Sequence, residues 1–495
     1  MSRTCRTYWI AGAGVAAALV ALGALSAGGE ARDMALATSI SASDKEQGAK
    51  AHPELLKEFG GAYRGPQTAY VTSVGRKIAV QSSLSRAQND FTITLLNSSV
   101  NNAFAIPGGY VYITRQLMAL CNDEAEMAGV LGHEIGHVAA MHSQRRQKTA
   151  TRNAIGGALL QILTGAVLGD SALGGLLQKG IGSGAQLLTL KFSRSQEYEA
   201  DDLGIRYLAS AGYDPKALSG MLASLAAQSA LDARVAGQSG NVPEWASTHP
   251  DPASRVTRAL NKARETRSTS NVRNRDAFLN ALDGVTYGDD PAQGIISGGR
   301  FTHPQLRLSF AAPSGYVMLN GSDAVTISGS GGKAQFGGAA YSGNLANHVV
   351  TLFKSLSQNI NLSADAVRRT TVNGIPAAYA TVRANSQSGQ MDVTVFAYEM
   401  GSGSAYHFLT IAPAGSGLGP FSSMVQSFRR ITAQEAAAVK ARKVDVVTVK
   451  AGDTIDTLAG RMAYDDLRKE RFLTLNGLTG SSALKAGDRV KIVTY

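Results

Sequence analysis

The stretch VLGHEIGHVAAMH, Val130 to His142, decides the fold of the chain around it. Met127, Val130, Leu131, Ile135, Val138 and Ala139 recur at the spacing of one helix face, which predicts a largely buried helix. His133 and His137 stand about one helical turn apart, so both project from the same side and can offer ring nitrogens to one zinc ion. Glu134 lies beside them, placed to take a proton from water at that metal. The competing reading is a buried helix whose histidines are satisfied by hydrogen bonds alone. A third ligand separates the two, because a hydrolytic zinc site needs three protein donors and an open position.

The segment FSRSQEYEADDLGIRYL, Phe192 to Leu208, supplies candidates. It has helical periodicity and carries Glu197 and Asp201 one turn apart. Glu197 can complete a His-His-Glu set, while Asp201 on the same face can accept the free ring N–H of a zinc-bound histidine. Glu199 is the rival ligand, but it points to another side of the helix and has no acid one turn later. The bland alternative for all three acids is a solvated helix face.

Four ordered motifs then make a family resemblance specific: NNAFAIPGGYVYIT (Asn101–Thr114), the HEIGHVAAMH helix, SRSQEYEAD and THPDPASR (Thr248–Arg255). Together they resemble the HtpX/BepA-like zinc metallopeptidases of the gluzincin family that includes the CAAX prenyl endopeptidases, over roughly Glu46 to Ala263. The resemblance implies endopeptidase activity on protein or peptide substrates, with one zinc ion per chain on His133, His137 and Glu197. It further implies Glu134 as general base and acid, Asp201 behind the ligands, and His249 on a loop that caps the zinc or helps stabilise the tetrahedral intermediate. His142 reads as structural. Ala103 to Thr114 reads as a strand interrupted by Pro107-Gly108-Gly109, a pattern suited to a sheet edge that can hold an extended substrate by strand addition, with Asn102 and Ala105 lining the cleft. A plain turn between two strands is the alternative there.

The rest of the 495 residues exceeds one core and predicts an α+β multidomain protein. Arg3 and Arg6, the apolar run Tyr8 to Leu25 and the small residues after it read as a signal peptide over 1–31, with an uncleaved anchor as the alternative. Only Cys121 remains beyond it, so the exported chain is expected to form no internal disulfide. A mainly helical zincin-type domain with a small edge sheet is expected over 45–265, holding a glycine-rich stretch, 149–190, that suits close helical packing, a lid or peripheral membrane contact. A polar stretch, 266–299, reads as a linker. Short strand-like runs and two helical ones over 300–432 give an α+β sheet domain that distantly resembles the Mog1/PsbP type.

Residues 444–495 resemble a βααβ LysM module through VKAGDT, LAGRM, LNGL and LKAGDRVKIV. That resemblance implies binding to N-acetylglucosamine-containing glycans such as peptidoglycan, although the charges from Asp465 to Arg471 depart from the usual pattern. The net charge of +11 suits anionic envelope polymers or ordinary solubilising surface, and no nucleic-acid module is present. The whole predicts an exported zinc endopeptidase of the bacterial periplasm or envelope acting on misfolded proteins. The alternative is a chaperone or assembly factor whose protease site is normally capped; a cell-wall hydrolase fits the terminal module but not the catalytic motifs.

Overall fold

The computed structural model describes residues 36–145, 192–236 and 249–495, except 322–323, 358–359, 387–388 and 402. The expected signal peptide and the glycine-rich stretch 149–190 lie outside the described residues. From the amino-terminal side come helices α1 (Ala42–Glu58) and α2 (Gln67–Ala79), then strands β1 (Thr92–Leu96), β2 (Ala103–Ile106) and β3 (Tyr110–Thr114). Helices α3 (Arg115–Leu120), α4 (Glu124–Ala139), α5 (Arg194–Ser210), α6 (Ala217–Ala236), α7 (Pro252–Glu265) and α8 (Arg275–Leu282) follow.

Helix α4 is the HExxH helix. Asp123 caps it by accepting from the Glu126 N–H, and Glu124 and Glu126 place negative charge in the first turn, where the helix dipole favours it. Every residue from Glu124 to Ala139 except Val138 is buried. Helix α5 starts with a capping box between Ser193 and Gln196, which sets the phase of Glu197 one residue later. The two helices approach at glycines: a Cβ on Gly204 would stand 3.0 Å from the His133 nitrogen, and one on Gly136 would stand 3.1 Å from the Ala200 carbonyl oxygen. That contact brings the backbone carrying the acids up to the backbone carrying the histidines.

The small sheet has the order β1-β3-β2, with β3 parallel to β1 and antiparallel to β2. The segment read as one interrupted strand is therefore a hairpin, and β2 is one of the two edge strands of the sheet. Gly108 (φ +95°) and Gly109 (φ +85°) form its turn in the left-handed region, where a Cβ would also strike the Asp44 and Asp90 carbonyls. Leu55 of α1 and Phe59 directly after it pack with Phe104, Ile106 and Tyr112 on one face, while Ala105 and Val111 lie with Ile135 and Val138 of α4 on the other.

The stretch 266–299 is not an open linker. It contains α8, whose Phe278, Leu279 and Leu282 are fully buried in the same core as α4. Beyond it lies a seven-stranded antiparallel sheet built from Val317–Asn320, Ala324–Gly329, Gly332–Ala339, Arg368–Val372, Ile375–Ser386, Gly389–Gly401 and Ser404–Pro413. Its side chains alternate between two cores. Val395 and Ala397 face the helix Leu345–Leu356, whereas Phe396 and Tyr398 face Phe301, Phe310 and Phe428 from a second, four-stranded sheet and its connections. His348 and His407 come together here, with ring centroids 5.9 Å apart. Even so, the described residues hold a single cluster of three or more metal-binding side chains, and it lies elsewhere.

The terminal module has strand Arg442–Thr448, helices Ile455–Gly460 and Arg468–Leu475, and strand Arg489–Thr494. Its first strand pairs with the last and also with Thr286–Tyr287, directly after α8. Lys491 is fully buried, and its ammonium donates to the carbonyls of Ala119 at 2.9 Å and Cys121 at 2.6 Å, just before α4 begins. Arg275 bridges the same junction, donating to the Asn122 and Arg489 carbonyls. Burial pushes the Lys491 ammonium well below its usual range. Replacing Lys491 with Met would strand these buried carbonyls, and urea unfolding is expected to show a loss of about 2–4 kcal/mol. Unchanged stability would mean the module merely leans on the base of α4.

Candidate metal centre

His133, His137 and Glu197 lie together in the structure, and His249 joins them. One donor atom from each lies within 4.8 Å of all the others, and all four residues are buried. His133 Nε2 stands 3.0 Å from His137 Nε2, 3.6 Å from Glu197 Oε2 and 3.4 Å from His249 Nδ1. His137 Nε2 lies 3.5 Å from Glu197 Oε1, and His249 Nδ1 lies 3.1 Å from that same oxygen. Three imidazole nitrogens and a carboxylate oxygen form a donor set that zinc accepts. Glu134 stands beside this set, with Oε1 3.6 Å from His249 Nε2. That oxygen is buried without a hydrogen-bond partner among the described residues. A buried acceptor left open beside clustered donors fits a site made to receive a metal and water.

The local chain explains why His249 enters. It precedes Pro250, and Asp251, in the left-handed region at φ +59°, caps α7 by accepting from the Ser254 N–H. Prolines on both sides of Asp251 stiffen the loop. Asn102 and Ala105 lie outside the cluster. The Asn102 backbone is engaged with Thr114, its carbonyl accepting from the Thr114 N–H at 2.9 Å and its N–H donating to Thr114 Oγ1 at 3.2 Å.

Partners behind the donors hold their orientation. His133 Nδ1 lies 2.9 Å from Asp201 Oδ1, the contact expected of Asp201. His137 Nδ1 instead lies 2.8 Å from Nδ1 of His142, and His142 Nε2 lies 3.0 Å from Glu199 Oε2. Glu199 is therefore absent from the donor cluster but joined to it through His142. Phe192 stacks on His137, with ring centroids 3.8 Å apart. Arg255 spans two of the buried acids: its guanidinium donates to both oxygens of Asp201 and to Glu197 Oε2, leaving Glu197 Oε1 directed at His137 and His249.

Burial opposes the charge on Asp201, but Arg255 and His133 outweigh it and hold the carboxyl down at about 2. Burial likewise works against Glu197, and His249, His133 and Arg255 together still keep it below the usual carboxylate range. For Glu134 burial prevails and its pKa rises, with His249 and His133 acting in opposition. Burial, reinforced by the neighbouring imidazoles, drives His137 well below the usual histidine range, toward the neutral form that can ligate a metal.

A buried HExxH helix joined by a carboxylate from a second helix is the arrangement of a metallopeptidase domain. Residues 66–263 match Peptidase family M48, and residues 447–493 match the LysM domain. The chain thus carries an M48 peptidase domain with a LysM domain C-terminal to it. It is 33% identical over 204 residues to the "Beta-barrel assembly-enhancing protease" of Yersinia pestis, covering 40% of this chain and 39% of that protein. For the protein of the same name in Escherichia coli (strain K12), identity is 31% over 218 residues, covering 43% and 42% respectively. The "Mitochondrial metalloendopeptidase OMA1" of Schizosaccharomyces pombe is 29% identical over 234 residues, covering 46% of this chain and 64% of that one. The chain spans about two fifths of the length of the first two relatives.

Arg255 had no assigned role in the sequence reading, although a signal was available. It shares the buried stripe of α7 with Pro252, Ala259 and Ala263, where an arginine is out of place unless an acid meets it. Replacing Arg255 with Met would leave Glu197 and Asp201 buried without their guanidinium. The metal-free protein is expected to lose about 3–5 kcal/mol in urea unfolding. Arg255→Lys should recover only part, because an ammonium cannot fork across two carboxylates. A stable Arg255→Met protein would show that the compensation lies elsewhere.

Proposed function

We propose that this chain is an exported zinc-dependent endopeptidase acting on cell-envelope proteins, misfolded ones among them. The convergence of His133, His137 and Glu197 beside a Glu134 oxygen that makes no hydrogen bond is the observation that carries the reading. When bound, zinc supplies Lewis acidity, which polarises a peptide carbonyl and makes water acidic enough to lose a proton near neutral pH. His133, His137 and Glu197 would hold the ion. Glu134, its basicity raised by burial, takes the proton from the attacking water and returns it to the leaving amine. The edge strand β2, which contains Ala105, gives an extended substrate a backbone to pair with, while Asn102 just before it, its own backbone taken by Thr114, lines the cleft with its side chain.

His249 has a separate part in this proposal. Its place among the donors suits a resting site in which the histidine caps the metal and withdraws when substrate enters. This supports a second reading, in which holding or assembling client proteins is the main activity and cleavage is occasional. The LysM domain supports placement at the cell envelope, with peptidoglycan as a binding partner. Among the described residues no helix is long and apolar enough to cross a membrane.

Incubation with unfolded casein tests the enzyme directly. Cleavage should stop on chelation and return with zinc. Glu134→Gln should keep its zinc content yet slow turnover by about 10²–10⁴-fold, the usual contribution of a general base. An active Glu134→Gln protein, or cleavage indifferent to chelation, contradicts the proposal.

A further inference from the structure

The two histidines of the HExxH motif are backed in different ways. His133 meets a carboxylate directly, with Asp201 Oδ1 2.9 Å from its Nδ1. His137 meets His142 instead, at 2.8 Å between the two Nδ1 atoms; His142 Nε2 lies 3.0 Å from Glu199 Oε2, and Arg145 Nη1 donates to that same oxygen at 2.9 Å. We propose that His142 and Glu199 are positioning residues that fix the tautomer and aim of His137 and thereby set how tightly the site holds its metal. This rests on the metal-site reading above and adds to it a set of residues outside the ligands.

The direction of these hydrogen bonds follows from donor and acceptor counting. His137 Nε2 faces the other donor atoms, 3.0 Å from His133 Nε2, and can ligate only if it carries a lone pair. The ring proton of neutral His137 is then on Nδ1 and donates to His142 Nδ1. Neutral His142 consequently carries its own proton on Nε2 and donates it to the Glu199 carboxylate. The reverse assignment puts a proton on His137 Nε2 and bars that nitrogen from the metal.

The backbone is shaped to make this contact. Met141, immediately before His142, has φ +52°, a left-handed conformation uncommon for a bulky residue. The chain reverses there, just past the Ala140 cap of α4, and returns His142 edge-on to His137 with ring centroids 4.9 Å apart. The amide of Gln196 in α5 donates to the His142 carbonyl at 3.2 Å and pins the turn. His142 is fully buried, while the Glu199 side chain is 36% exposed, so the connection runs from the metal cluster to the surface. Strained backbone that aims a buried polar ring at a ligand is better explained by positioning than by packing alone.

The test measures zinc affinity of the full chain by competition with a chromophoric chelator, alongside the melting temperature of the metal-free protein. His142→Leu is expected to weaken zinc binding by about 10–100-fold, the usual effect of removing such a partner. Glu199→Leu, at a partly exposed position where folding is retained, should weaken it in the same direction. His142→Gln should restore much of the affinity, since its amide can both accept from His137 and donate to Glu199. Wild-type affinity in both Leu variants overturns the proposal and leaves the metal site standing, as does a fall in metal-free melting temperature with affinity unchanged. If His142→Leu fails to fold, Glu199→Leu decides alone. A wild-type chain that binds no zinc overturns both this proposal and the metal-site reading.

Discussion

The candidate centre depends on one close helix crossing. Gly136 on α4 meets Ala200 on α5 and Gly204 on α5 meets the His133 backbone closely enough that a Cβ on Gly136 would stand 3.1 Å from the Ala200 carbonyl oxygen and one on Gly204 3.0 Å from the His133 nitrogen. Dense packing makes such a contact nearly rigid. The Glu197 carboxylate thereby reaches two imidazoles from a helix far away in sequence, and Asp201, one turn on, falls behind His133. Widening this crossing would move donors and supporting acid together.

Concentrating charge at that crossing creates the second constraint. Glu134, Glu197 and Asp201 are all buried, and an uncompensated buried carboxylate is expensive. Arg255 supplies a planar fork to two of them, and His249 lies between Glu197 and Glu134. The acid left least compensated is Glu134, and burial accordingly raises its pKa while neighbours lower those of the other two. Two carboxyls are thus favoured in their charged form and one in its protonated form, by environment alone.

Much of this was legible in the chain because it rests on local periodicity. Histidines one turn apart within an apolar helix, and Glu197 with Asp201 one turn apart on another, announce themselves by spacing. What stayed hidden depends on contacts through space. His142 is aimed by a left-handed Met141 that residue type does not reveal, and Glu199 acquires its partner only through that reversal. Residues 266–299 look like a linker because their polar composition masks the short helix that buries Phe278, Leu279 and Leu282. Lys491 alternates with Val490 and Ile492 and so reads as the solvent side of a strand, yet that side is docked against the chain leading into α4. The LysM domain is consequently continuous with the foundation of the HExxH helix.

Zinc-edge X-ray absorption on the full chain loaded with one equivalent of zinc examines the central claim most directly. The account predicts nitrogen and oxygen donors at about 2.0–2.1 Å, with the outer scattering of at least two imidazoles, a pattern lost in His133→Ala and kept in Glu134→Gln. A spectrum of oxygen donors alone, without imidazole scattering and unchanged in His133→Ala, would contradict it.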